Sequence, residues 1–153
     1  MPFTETFANK ILKWMTANGS VTLYNAKVYI GLVQGYSEDS PDSITELPKA
    51  NGYERVLVAE NGKAFPALIS DKDVSGRIAT NGKQINWTKA SPNGWPTANA
   101  FLLSSSDEVG EKDAIFFVGL LDQPMTCDAG AVALFDPGEL KIQISNKDEK
   151  ITD

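Results

Sequence analysis

After residue 18 the apolar residues stop recurring at helical spacing and begin to alternate, and asparagine–glycine pairs start to interrupt them. That change of period confines most of the chain to short, half-buried strands joined by tight turns. KVYIGLVQ (27–34), YERVLVAE (53–60), KQINWTKA (83–90), ANAFLLSSS (98–106), DAIFFVGLLD (113–122), AVALF (131–135) and ELKIQIS (139–145) each read as a strand, and FPALIS (65–70) as a shorter one. Leu140, Ile142 and Ile144 alternate with Lys141 and Gln143, the pattern of a strand with one wet face. NG at 51–52, 61–62, 81–82 and 93–94, DAG at 128–130 and PG at 137–138 supply the turns. No strand–helix–strand rhythm and no internal repeat intervenes. The pattern predicts a mainly β fold, an antiparallel β-sandwich of jelly-roll type.

Ahead of the strands, TETFANKILKWMTANG predicts a short N-terminal α-helix over residues 5–17. Thr4 is the expected N-cap, Glu5 suits the positive end of the helix dipole, and Asn18-Gly19 gives the stop. Phe7, Ile11, Trp14 and Met15 fall on one stripe. That stripe either caps an open end of the sandwich or docks onto another subunit. The chain thus divides into a capping or docking helix (1–20), a sandwich (21–146) and a polar tail (147–153).

The chain has 153 residues, enough for one domain with one sizeable core. With 14 basic and 20 acidic residues the net charge is −6, and the lysines are scattered. Nucleic acid is therefore not an expected partner. No apolar run reaches membrane-spanning length, and MPFTETFANK lacks the basic-then-apolar layout of a secretory leader. One cysteine makes no internal disulfide, which fits synthesis in a reducing cytoplasm. Most restrictive for chemistry is the absence of histidine. Without it no Ser-His-Asp or Cys-His site can be built within this chain.

The remaining chemical candidates are weak. Cys127 stands beside Asp128, whose negative charge opposes a thiolate, so the cysteine reads as a small apolar residue rather than a nucleophile. DKDVSG (71–76) imitates the start of an EF-hand loop, but the twelfth position is Gly82 where a glutamate is needed. SEDSPDS (37–43) gathers Glu38, Asp39 and Asp42 in what reads as a polar link. Trp87, Trp95 and Tyr36 raise the idea of a sugar-stacking platform. Trp87 alternates with Ile85 and reads as core, whereas Trp95, in SPNGWPTA, is either a plug over the sandwich end or an exposed contact. No catalytic, cofactor-binding or metal-binding residue is assigned. The interface candidates are Phe3, Phe7, Ile11, Trp14, Met15 and Trp95.

Val28-Tyr29-Ile30-Gly31-Leu32, Gly52-Tyr53-Glu54-Arg55, INWTKASPNGW (85–95) and GLLDQPMTCDAGAVALFDPGELKIQI (119–144) follow one another in an order that resembles a family of small bacteriophage virion proteins of the tail-fibre or head-fibre type. The resemblance covers nearly the whole chain and rests on order and spacing, since each motif alone is strand and turn punctuation. It departs from the family pattern in the long acidic link 35–51 and in Cys127, where a valine or similar strand residue is usual. It implies a jelly-roll-type sandwich in a phage particle, often as an oligomer, without enzymatic activity. Open sheet edges need covering, so the expected partners are other virion proteins and further copies of the chain, as a trimer or other cyclic oligomer; no cofactor is expected. Capsid decoration and attachment at the tail or a fibre both fit. The alternative is a carbohydrate- or receptor-binding module that takes a surface glycan on Trp95 and Tyr36; a carboxylate hydrolase comes third.

Overall fold

The computed structural model describes residues 4–16, 27–37, 40–60, 77–81, 84–87 and 92–144. These form one helix, α1 (Glu5–Met15), and nine strands: β1 (Lys27–Ser37), β2 (Ser40–Glu46), β3 (Val56–Glu60), β4 (Arg77–Thr80), β5 (Ile85–Asn86), β6 (Trp95–Ser104), β7 (Ile115–Cys127), β8 (Leu134–Phe135) and β9 (Lys141–Ile144). All pairings are antiparallel. The mainly β reading with one short helix is what the fold contains. No described helix is long and apolar enough to cross a membrane.

The main sheet runs β2–β1–β6–β7, with β3 also paired to β1. β6 covers Tyr29 to Val33 on one side of β1. On the other side β3 pairs with Lys27–Ile30 and β2 with the stretch from Val33 to Ser37. β2 and β3 therefore lie end to end along one edge, separated by residues 47–55. Alternation sorts the side chains of this sheet between two clusters. Ile30, Leu32, Phe101, Leu103 and Phe117 point into the larger one, which also holds Trp87, Trp95, Phe135 and Leu140. Val33, Ala100, Leu102 and Val118 point into the smaller one, with Ile44 and Ile115. Both faces are thus buried at the sheet centre, which explains the unbroken apolar run in β6.

Two small sheets, β4–β9 and β5–β8, complete the described strands. β5 brings Ile85 and β8 brings Phe135 to the larger cluster, and Trp87 packs on Phe135 with ring centroids 6.1 Å apart. Asn81 ties the two small sheets together: its amide donates to Asp136 O at 2.9 Å and its side-chain oxygen accepts from Leu140 N at 2.9 Å.

Several boundaries differ from expectation. β2 lies inside the acidic link that read as a loop, because an edge strand tolerates Pro41 and needs only one apolar anchor, the buried Ile44. β6 opens at Trp95 rather than 98. β7 runs five residues past Asp122 to Cys127. Between the pairs Ala100↔Leu120 and Ala98↔Met125, β6 advances two residues while β7 advances five. Asp122, Gln123 and Pro124 sit in that bulge, on the strand that ends the described sheet, where proline's missing N–H costs nothing. β3 starts at Val56, so Tyr53, Glu54 and Arg55 precede the strand. Residues 65–70, the DKDVSG stretch and the tail 147–153 lie outside the described residues.

Candidate functional site

The densest polar chemistry sits where β2 gives way to β3. The excursion 47–55 leaves the backbone of Leu32, in the middle of β1, without a strand partner on that edge. Leu47 N donates to Leu32 O at 3.0 Å, and Leu32 N donates to the Tyr53 hydroxyl at 2.8 Å. The hydroxyl in turn donates to Glu46 Oε1 at 2.9 Å. Arg55 closes on the same carboxylate through Nε to Oε1 and Nη2 to Oε2, both 2.8 Å. Its other N–H groups reach Ser104 Oγ (2.9 Å), Ser106 O (3.0 Å) and Glu111 O (2.9 Å). Gly110 N donates to Glu46 Oε2 at 2.8 Å.

Every guanidinium donor is therefore used, and each carboxylate oxygen accepts two bonds. The Arg55 and Glu46 side chains are 0% and 5% exposed. An ion pair this enclosed and saturated has no free position for a substrate or ion; it is a clamp joining β2, β6 and the 105–114 loop. Burial, and after it the Glu46 charge, pushes the Tyr53 hydroxyl well above its ordinary pKa, so it stays a neutral donor.

The tryptophans brace the same segment. Trp95 Nε1 donates to Asn51 O and Trp87 Nε1 to Glu54 O, each at 2.8 Å. Asn51 and Gly52 hold positive φ of 58° and 82°, which turns the chain so that these carbonyls face inward. Trp95 meets Tyr53 edge-on, with centroids 5.6 Å apart, and is 7% exposed. A ring this buried against Tyr53 offers no open face for stacking in this chain. Tyr36 is half-buried against the smaller cluster, whereas Trp87 and Trp95 share the larger one. The three residues of the suggested sugar platform are not brought together.

Cys127 is buried at the end of β7, opposite Trp95 in the β6–β7 register. Its Sγ lies 3.3 Å from Ala131 O, and burial followed by the Asp128 charge pushes the thiol pKa up. The thiol is thus held in its unreactive form. Glu38 and Asp39 of the acidic stretch lie outside the described residues, and Asp42 is on β2. Among the described residues no three of His, Cys, Asp and Glu gather as a metal site.

Two surface features remain. On α1, Thr4 Oγ1 accepts from Phe7 N at 3.3 Å and donates to Ile115 O at 2.8 Å, so the N-cap also fixes the helix to β7. Phe7 packs on Phe116 with centroids 5.5 Å apart, and Ile11 is half-buried. Met15 is 67% exposed, and Leu12, which the sequence stripe left out, is 57% exposed. The predicted stripe is therefore divided: Phe7 faces this chain, while Met15 joins Leu12 in solvent. Phe3 and the side chain of Trp14 lie outside the described part. The second feature is a groove of about 850 Å³ at the β7 bulge, between Leu120–Thr126 and the 138–140 turn. Leu120, Met125 and Leu134 supply apolar walls, and Asp122 and Glu139 supply acids. It went unseen in the sequence because it arises from a register shift.

No curated protein matches the chain. A family model does, over residues 2–143, and its description is Podophage GP4 fiber I protein gp80. The match takes in the Tyr53–Arg55 clamp, both bracing tryptophans and the β7 bulge, so the features that hold this fold together lie inside the shared region. The chain belongs to the family of the podophage GP4 fiber I protein gp80, a family of structural fibre proteins of the phage virion.

Proposed function

We propose that the protein is a non-enzymatic structural component of a tailed phage particle, an accessory subunit that attaches at the tail or its fibres through oligomeric interfaces. The observation that carries this reading is the family match over residues 2–143. The fibre description of that family favours tail or fibre attachment over capsid decoration. The chemistry agrees in kind: Glu46, Tyr53 and Arg55 are committed to one another, and their geometry serves rigidity rather than turnover. We also take the fold to be a sandwich of jelly-roll type, with β4–β9 and β5–β8 in a second layer; the shared membership of Phe101, Phe117, Trp87 and Phe135 in one core supports this.

The test is to purify the particles and count the copies of this chain by quantitative mass spectrometry, with antibody labelling in electron micrographs. A small, symmetric copy number with label at the tail is the expected result. Hundreds of copies spread over the head would move the protein to capsid decoration. Absence from the particle would overturn the reading.

A further inference from the structure

Two of the asparagine–glycine pairs meet in space. Asn93 Nδ2 donates to Asn51 Oδ1 at 3.2 Å, and Asn51 Nδ2 donates to Gly94 O at 3.4 Å. Both asparagines are exposed. An asparagine followed by glycine is the pair most open to spontaneous deamidation, since no Cβ hinders the glycine nitrogen. That nitrogen attacks the asparagine Cγ and loses its proton, and the side-chain nitrogen leaves as ammonia. The resulting five-membered succinimide takes up water at either carbonyl, giving aspartate or isoaspartate. Water is consumed and ammonia released; no other reactant is needed.

The fold sorts the described Asn-Gly sites by how much must open before Cγ can be reached. Asn81 is 3% exposed, and both ends of its amide are held at 2.9 Å, by Asp136 O and Leu140 N. Asn51 also uses both ends of its amide, and its left-handed backbone is pinned by Trp95 Nε1, which donates to its carbonyl oxygen at 2.8 Å. Among the described residues Asn93 is held by one side-chain bond, at 3.2 Å, in an exposed bend. Asn61 lies outside the described residues.

We propose that Asn93 is a spontaneous deamidation site, and that its conversion loosens the brace between Trp95 and the 51–52 turn. A carboxylate at position 93 has no N–H to give Asn51 Oδ1, so two acceptors face each other where a 3.2 Å bond stood. An isoaspartate also carries the main chain through the side-chain carbon, which adds a methylene just before Gly94 and Trp95. Gly94 O is the acceptor for Asn51, and Trp95 is the buried ring that holds Asn51 O. The modification thus reaches the core from an exposed loop. It goes beyond the structural role proposed above and does not depend on it.

The test incubates the full-length chain in mildly alkaline buffer, folded and in urea, and follows the amide-to-acid mass gain at each site by peptide mass spectrometry. Opening two buried hydrogen bonds slows a reaction about tenfold or more, so in the folded chain Asn93 is expected to convert at least about tenfold faster than Asn81, and ahead of Asn51. In urea the three are expected to convert at similar rates. Asn51 or Asn81 converting as fast as Asn93 in the folded chain, or Asn93 converting only in urea, overturns the site. The consequence is read by NMR on Asn93→Asp, with Trp95→Phe assigning the indole signal. Exchange of the Trp95 indole N–H is expected to quicken several-fold, while that of Trp87, bonded to Glu54 O, stays as it was. An unchanged Trp95 indole, or equal quickening at both, overturns the loosening of the brace.

Discussion

Arg55 holds Glu46 in a two-pronged ion pair, 2.8 Å on each arm, with neither side chain more than 5% exposed. The pair spans nine residues of sequence but joins three separate parts of the fold, because the guanidinium also carries Ser104, Ser106 and Glu111. Taking two charges out of water is costly, so a pair like this is tolerated only when all of its donors and acceptors are met. Removing one partner strands the other. Arg55→Ala and Glu46→Ala are each expected to cost about 3–5 kcal/mol. Arg55→Lys is expected to cost nearly as much as alanine, since an ammonium cannot reproduce the planar fork or reach five acceptors. Urea unfolding of the three variants checks this, and a loss below about 1 kcal/mol in either alanine variant contradicts it.

Gly31 is coupled to Tyr53 by simple lack of space. A Cβ on Gly31 would lie 2.8 Å from the Tyr53 hydroxyl and 2.9 Å from Glu46 Oε1, inside contact distance. Both atoms are fixed by the clamp and cannot swing away. Gly31→Ala is expected to cost about 1–3 kcal/mol as overpacking. Tyr53→Phe is expected to cost about 1–3 kcal/mol, because Leu32 N–H loses its only hydroxyl partner. The double variant removes the nearer of the two oxygens that the new methyl strikes, so its cost should fall short of the sum by about 0.5 kcal/mol or more. A strictly additive cycle would show that the glycine and the tyrosine are not in contact.

The sequence made some of this visible and hid the rest for physical reasons. α1 was readable because its signals are local: Thr4 at the cap, apolar residues on one arc, glycine beyond the end. β1, β6 and β9 were readable because alternation or an apolar run survives in them. β2 was not. Its seven residues carry one buried isoleucine among serines, acids and a proline, and what makes it a strand is the neighbouring edge of β1. The end of β7 was missed because Asp122-Gln123-Pro124 looks like a break, although on an edge strand it is a bulge. Gly52-Tyr53-Glu54-Arg55 stood out as a motif, but nothing in it points to Glu46 or to the backbone of Leu32. Helical spacing finds an apolar arc and cannot say which half the chain uses itself: Phe7 packs on Phe116, while Met15 and the neighbouring Leu12 are exposed.

Alkaline pH gives a third check. Cys127 has an ordinary thiol value of 9.0 and Tyr53 an ordinary phenol value of 10.0, and burial raises both in the folded chain. A group whose folded pKa is raised holds its proton more tightly when folded, so its contribution to stability is full below the unfolded value and lost as pH climbs toward the folded one. Unfolding free energy should therefore be unaffected by these two groups below about pH 8 and fall above pH 9, more steeply above pH 10. Cys127→Ala is expected to flatten the first part of that fall and Tyr53→Phe the second. The same burial predicts slow alkylation: iodoacetamide should label Cys127 at pH 7.5 far more slowly in the folded chain than in urea. Equal labelling rates would place the thiol at the surface.

The N-cap of α1 makes the last prediction, because one hydroxyl does two jobs there. Thr4 Oγ1 accepts from Phe7 N and donates to Ile115 O, and Thr4 is itself buried. An ordinary exposed cap replaced by alanine costs about 1 kcal/mol. Here the same substitution also leaves a buried carbonyl on β7 without its donor, which adds about 1 kcal/mol or more. Thr4→Ala is therefore expected to lose about 2 kcal/mol overall, and Thr4→Ser, which keeps both bonds, about half that or less. The effect should also be local. With its cap gone, α1 is held to β7 chiefly by Phe7 on Phe116, so amide hydrogen exchange in residues 5–15 should quicken while β6 and the centre of β7 keep their protection. If exchange rises evenly across the sheet, α1 and the sheet unfold as one unit and the hydroxyl is not the hinge between them.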